Sequence, residues 1–80
     1  MKAADKHPPI VVIVAENVRQ LRKSAELSQE ELAYEAGLDR TYISQVERRK
    51  RNVTIVALAK IAQALKVSPD RLLVPHRRKS

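Results

Sequence analysis

Apolar residues recur along the chain at helical spacing. Val11, Val14, Val18 and Leu21 stand three and four residues apart and so share one face of a helix over Ile10 to Ser24. The β-branched run IVVIV lowers helix propensity, which leaves the start of that helix open to fraying or extension. Pro8-Pro9 closes a polar arm ahead of it, and proline is tolerated in a first helical turn. Arg19, Arg22 and Lys23 crowd the last turn, where cations suit the negative end of the helix dipole.

A second helix starts at Ser28, which forms a capping box with Glu31, each side chain accepting the other's backbone N–H. Leu32, Ala33 and Ala36 are its inward positions, and Gly37, the one glycine in the chain, is the left-handed residue that stops it. Asp39 caps a third helix with a narrow apolar stripe of Ile43 and Val46. Arg48-Arg49-Lys50-Arg51-Asn52 is too polar for a core and reads as a connection. Thr54 caps a fourth helix, with Ile55, Leu58, Ala59, Ala62 and Leu65 on one side and Lys60, Gln63 and Lys66 largely on the other. Ser68-Pro69-Asp70 carries an N-cap, a proline at the first helical position and an acid in the first turn. A short fifth helix follows, completed by Arg71 to Val74 and stopped at Pro75. The pattern predicts an all-α, compact five-helix bundle: a flexible arm over 1–9, one domain over 10–74 and a disordered basic tail over 75–80.

Composition narrows the core and the partner. Eighty residues are near the length at which a single apolar core suffices. Leu, Ile, Val and Ala must build it, because Phe and Trp are missing and only Tyr34 and Tyr42 are aromatic. Without cysteine there is no disulfide framework and no thiolate metal site. A net charge of +7 favours a polyanionic partner, nucleic acid being the commonest, against the plainer alternative of an unliganded basic surface. The longest apolar run, Ile10 to Ala15, is too short to span a bilayer, and Met1 to His7 lacks the apolar centre of a signal peptide, so a cytoplasmic protein is expected. No catalytic, cofactor or metal site is expected. His7 and His76 lie near opposite termini, and Glu30, Glu31 and Glu35 read as the solvated face of the second helix.

Ser28 to Arg51 then reads as two short helices about the turn at Gly37, the helix-turn-helix unit, whose second helix lies in the major groove of DNA. Gln29, Ala33, Gly37, Ile43 and Val46 resemble the pattern of the phage repressor and Cro type, the XRE family, in a match that extends over roughly Val18 to Leu73, most of the chain. More narrowly, LDRTYISQVERRKRNVT is similar to the controller proteins of restriction–modification operons, small dimeric regulators that act on their own promoter. Ala33 is small where two helices cross, Gly37 takes a backbone conformation closed to most residues, and Ile43 and Val46 hold the second helix against the first. Two positions depart from the family pattern. Glu26 stands where the family often has a glycine, and Arg49 where many members have Gly or Asn. A non-glycine residue at φ > 0 costs on the order of 1 kcal/mol, so both turns are open to being built differently here.

On the third helix Arg40, Thr41, Ser44, Gln45 and Arg48 fall opposite Ile43 and Val46. All five can donate hydrogen bonds and none is acidic, which makes them the candidate base readers. Arg40, in the first turn, could bond guanine O6 and N7; Gln45 could read adenine; and Thr41 could touch a thymine methyl group. For the DNA backbone the candidates are Gln29, which resembles the family's clamp at the start of the second helix, with Tyr42, Ser44, Asn52 and Thr54. Arg51 could reach an adjacent minor groove, whereas Lys50 is as well explained by solvation. The resemblance implies DNA contacts for Arg40, Thr41, Tyr42 and Arg51. Glu47 falls on the inner side, and the resemblance to phage repressors implies a largely buried ion pair with Arg22, structural in role.

These features predict a homodimeric, sequence-specific regulator of transcription on a near-palindromic operator, with double-stranded DNA as its partner and RNA polymerase as a further candidate. Val67, Leu72, Leu73 and Val74 are candidates for the dimer interface, as in similar proteins, with Ile10, Val12 and Ile13 as a second set. The rival readings are an XRE-type repressor or antitoxin of another operon, and a protein- or RNA-binding adaptor on the same fold.

Overall fold

The computed structural model describes residues 9–75. Positions 1–8 of the expected arm and 76–80 of the expected tail, with His7 and His76, lie outside the described residues. Four α-helices follow one another: α1 (Ile10–Ser24), α2 (Gln29–Ala36), α3 (Arg40–Glu47) and α4 (Ile55–Leu65). The fifth element is a single 3₁₀ turn at Pro69–Leu72 rather than an α-helix, and there is no strand among the described residues. Its brevity has a physical cause. Pro75 has no N–H to give the Arg71 carbonyl, which stops a helix there, and the amide of Asn17 on α1 donates to the carbonyls of Arg71, Leu72 and Val74 at 3.3, 3.1 and 2.6 Å in its place.

α2 packs against α3 and α4, and α1 packs against α3 and the 3₁₀ turn. Val14, Val18, Leu32, Ala33, Ile43, Val46, Leu58, Ile61, Ala62 and Leu72 meet in one buried cluster, to which every helix contributes. The run IVVIV is helical from Ile10 onward, with the Pro9 carbonyl accepting the N–H groups of Val12 and Ile13. On α4 the expected face is rotated. Ala57, Leu58, Ile61, Ala62 and Leu65 are buried, while Ile55 and Ala59 are exposed. Ile61, in the middle of the helix, is turned inward rather than Ile55 in its first turn, and the stripe meets α2 and the 3₁₀ turn.

The helix starts are built in different ways. Ser28 and Glu31 complete the capping box, and the Thr54 hydroxyl accepts the N–H of Ala57. Asp39 occupies the N-cap position of α3 with extended backbone, yet its side chain makes no capping bond, and neither does that of Ser68.

The four helix ends are alike. Leu27, Leu38, Lys50 and Val67 donate their N–H groups to the carbonyls of Arg22, Ala33, Gln45 and Ala62, five residues back in each case. This is the Schellman stop, which requires a left-handed residue just before the donor. Those residues are Glu26, Gly37, Arg49 and Lys66, with φ of 60°, 69°, 62° and 62°. Glu26 and Arg49 thus take the left-handed conformation in place of glycine instead of reshaping their turns, and Lys66 does the same. Leu27, Leu38 and Val67 then pack against the core, as the residue in that position usually does; Lys50 is exposed and anchors nothing.

Candidate nucleic-acid interface

α3 is divided between two environments. Ile43 and Val46 are buried, and Glu47 points inward beside them. Glu47 receives Arg22 twice, Nε to Oε2 at 2.6 Å and Nη2 to Oε1 at 3.0 Å, in a fork whose side chains are only 12% and 5% exposed. Arg22 also donates Nη1 to the carbonyl of Leu27 at 2.7 Å, which ties down the turn between α1 and α2. Oε1 of Glu47 accepts a third bond, from Nε2 of Gln29 at 3.0 Å. Gln29 is the first residue of α2, so one carboxylate joins the ends of three helices.

The other face of α3 is open. Thr41, Gln45 and Arg48, at i, i+4 and i+7, form its central stripe. Thr41, Arg40 and Arg48 are exposed, and Ser44 and Gln45 half-buried. The two ion pairs found among the described residues are Arg22 with Glu47, and Arg49 with Glu16 at 3.4 Å on the surface. Arg40, Arg48, Lys50 and Arg51 have no carboxylate within that range among the described residues, which leaves a basic, acid-free ridge. Glu30 and Glu35 stand exposed on α2, with Tyr34 between them.

Tyr42 lies at the edge of the ridge. Its hydroxyl accepts the N–H of Thr54 at 3.2 Å, joining α3 to the start of α4. The Arg51 guanidinium carbon sits 4.4 Å from the centre of the Tyr42 ring, and Arg51 Nε donates to Gln45 Oε1 at 2.9 Å. Thr54 is turned to its own helix as a cap, and Asn52 is exposed in the loop.

Of the expected interface residues, Leu72 is fully buried in its own core and Val67 is partly buried against it, so Leu72 is not available to a second subunit. Leu73 and Val74 remain exposed, as does Ile10, while Val12 and Ile13 are half-buried. Sequence reasoning missed a further pair: Ile55 and Val56 are 84% and 65% exposed on the first turn of α4. It also missed Asn17, although an amide three residues from Val14 and beside Val18 on an apolar stripe is the sign of a buried polar group with partners. Among the described residues no group of three or more potential metal ligands occurs, and no helix is long and apolar enough to cross a membrane.

A stop helix carrying a capping box, a left-handed glycine and a basic second helix fixed from behind define a helix-turn-helix protein. Residues 18–72 match the family described as Helix-turn-helix. The chain belongs to that family, of the XRE or phage repressor and Cro type, and is a DNA-binding transcriptional regulator. Within the family it is similar to the control proteins of restriction–modification systems. Control protein C.SmaI of Serratia marcescens is 54% identical over 61 residues, covering 76% of this chain and 73% of that one. The crystal structure of the restriction–modification controller protein C.AhdI from Aeromonas hydrophila has a TM-score of 0.75 and 45% identity, covering 78% of this chain and 94% of that one. The controller protein C.Esp1396I, solved as a tetramer in complex with its natural 35 base-pair operator, has a TM-score of 0.75 and 38% identity, covering 82% of this chain and 87% of that one.

Proposed function

We propose that the chain is the controller of a restriction–modification operon, binding a near-palindromic operator as a homodimer in the cytoplasm. The observation that carries this reading is the outward face of α3. It bears Arg40, Thr41, Ser44, Gln45 and Arg48 on a helix whose inner side is clamped by Ile43, Val46 and Glu47. In this reading those five residues face base edges, and Arg40 in the first turn has the reach to bond guanine O6 and N7. Gln29, Tyr42, Asn52 and Thr54 meet phosphates, and Arg51 the phosphates or the minor groove. Gln29 keeps one amide hydrogen for a phosphate after giving the other to Glu47.

A dimer requires a self-complementary apolar patch. Leu73 and Val74 remain of the original set, but Ile55 and Val56 are the stronger candidates. They are the most exposed aliphatic side chains among the described residues and follow directly on the loop leaving α3; a dimer on a palindromic site places its two reading helices in grooves about 34 Å apart. The tetramer of the related C.Esp1396I on its operator supports assembly on DNA. Promoter control follows from occupying the site or from recruiting RNA polymerase there. A repressor of another operon uses the same face, and a neighbouring endonuclease and methyltransferase gene pair distinguishes the controller from it. A protein adaptor has no use for a basic, acid-free ridge.

The test is selection of bound sequences from random duplex DNA by the wild-type protein and by Arg40→Ala. The expected result is a palindromic site whose preference relaxes at one base pair per half-site in the variant. Equal binding to every duplex removes the operator reading, and an unchanged site in the variant removes Arg40 from base reading.

A further inference from the structure

We infer that Arg51 determines the base preference of Gln45, making it a hydrogen-bond donor that selects guanine rather than the adenine a free glutamine favours. This deepens the operator reading above and rests on α3 being the helix that faces DNA.

Gln45 lies on the central stripe of α3 between Thr41 and Arg48, one turn from each. A glutamine side chain can present either end of its amide, because the oxygen and the nitrogen exchange places by a half-turn about the last torsion. Here the two ends are told apart. Arginine only donates, so the group facing Arg51 Nε at 2.9 Å is the Gln45 carbonyl oxygen, and the NH₂ group is turned away from it. No hydrogen-bond partner is found for that NH₂ group among the described residues.

Arg51 is itself held. Its guanidinium lies over the Tyr42 ring at 4.4 Å, and the ring is fixed at its far end by the bond between its hydroxyl and the N–H of Thr54. Thr54 is the cap of α4, so the platform under Arg51 is attached to two helices. The loop from Arg49 to Val53 has no apolar anchor at Lys50; Val53 packs against the core at its end, and this stack lies between them.

Reading adenine takes both ends of the amide: the oxygen accepts from N6 while the nitrogen donates to N7. In this structure a cation already occupies the oxygen, and its positive charge opposes the approach of the adenine amino hydrogens. Guanine presents only acceptors, O6 and N7, to the major groove. The Gln45 NH₂ group, turned away from Arg51, offers only hydrogens, which is the complement of guanine. Arg51 is therefore a positioning residue for Gln45, whatever contacts of its own it makes.

The experiment is selection from random duplex DNA with wild type, Gln45→Ala and Arg51→Ala. Gln45→Ala identifies the base pair concerned by the preference that it loses. At that position wild type is expected to favour guanine over adenine by roughly tenfold, the scale of one good base contact. Arg51→Ala is expected to move the ratio toward adenine by a similar factor, on top of a general loss of affinity from the missing cation. Overall affinity is not the readout; the base ratio is, because a purely structural or phosphate-binding role leaves it unmoved. Adenine preferred by wild type, the same ratio in both proteins, or no position altered by Gln45→Ala overturns the inference while leaving a palindromic operator intact. Failure of wild type to select any sequence takes down the operator reading and the inference together.

Discussion

The amide of Gln29 donates to the carboxylate of Glu47 at 3.0 Å, across 18 positions of sequence, and the same carboxylate grips Arg22 from the first helix. Glu47 is thus the point at which the buried clamp and the proposed DNA-facing surface meet. Its removal leaves the Arg22 guanidinium nearly buried without its partner, a loss of roughly 3–5 kcal/mol. For a domain whose whole stability is on the order of 5–15 kcal/mol, Glu47→Ala is expected to lower the melting temperature steeply. A melting curve superimposable on wild type overturns the clamp.

Gln29→Ala separates the two roles. It deletes one partly buried hydrogen bond, worth about 0.5–1.5 kcal/mol, and leaves the Arg22–Glu47 fork in place. Stability should fall little, while DNA affinity falls by a similar factor on every sequence, since a phosphate contact carries no base information. A change in the selected operator measured by the same random-duplex selection contradicts the phosphate role.

Asn17→Ala frees the carbonyls of Arg71, Leu72 and Val74. The cost should be about 1–3 kcal/mol, the penalty for stranding buried polar groups. Hydrogen exchange should localise it, with the 3₁₀ turn at Pro69–Leu72 opening well before α2 and α4. Uniform acceleration across the chain would point to a global role for Asn17 instead.

Lys66→Gly and Gly37→Ala form a matched pair at equivalent stops. Glycine at 66 should stabilise the domain by about 1 kcal/mol by relieving the left-handed strain, and alanine at 37 should cost a similar amount. Among the described residues, and apart from the adjoining backbone, no heavy atom lies within 4 Å of a Cβ added at Gly37, so that cost is conformational. Chemical denaturation with a shared m-value measures both, and a Gly37→Ala variant as stable as wild type defeats the argument.

Ile55→Glu together with Val56→Lys replaces the exposed apolar pair on α4 without touching the core, because both side chains stand in solvent. The variant should sediment as a monomer at concentrations where wild type is a dimer, with an unchanged circular dichroism spectrum. A dimer that survives the change moves the interface to Leu73, Val74 and Ile10.

What the residues themselves showed was local; the Arg22–Glu47 pair, 25 positions apart, came from the family resemblance. Ser28 with Glu31, Gly37, and Thr54 are signals confined to one helix turn, and each forms the bonds that its residue type dictates. The inner face of α4 was misassigned because Ile55, Val56, Ala57, Leu58, Ala59, Ile61, Ala62, Ala64 and Leu65 put apolar side chains around most of the helix. A wheel so filled does not say which side meets a neighbour; the packing against α2 does. Ser68-Pro69-Asp70 marks the start of a turn and Pro75 its end, but the partner that takes up its carbonyls, Asn17, is far away in sequence. The bond between Gln45 and Arg51 depends in the same way on how the loop after α3 folds back, and the run of basic residues alone reads only as charge.

The division of α3 into a clamped side and an open side has a consequence for how such a protein changes its target. Under the proposed operator reading, exchanging the exposed Arg40, Thr41 or Arg48 alters the address that the helix recognises and disturbs no buried contact, so the domain can be redirected to a new operator at little cost in folding. Gln45 is the exception. Bound to Arg51, it is on the inference above rewritten faithfully only as half of a pair, and a redesigned reader that changes one without the other should misread a single base in each half-site.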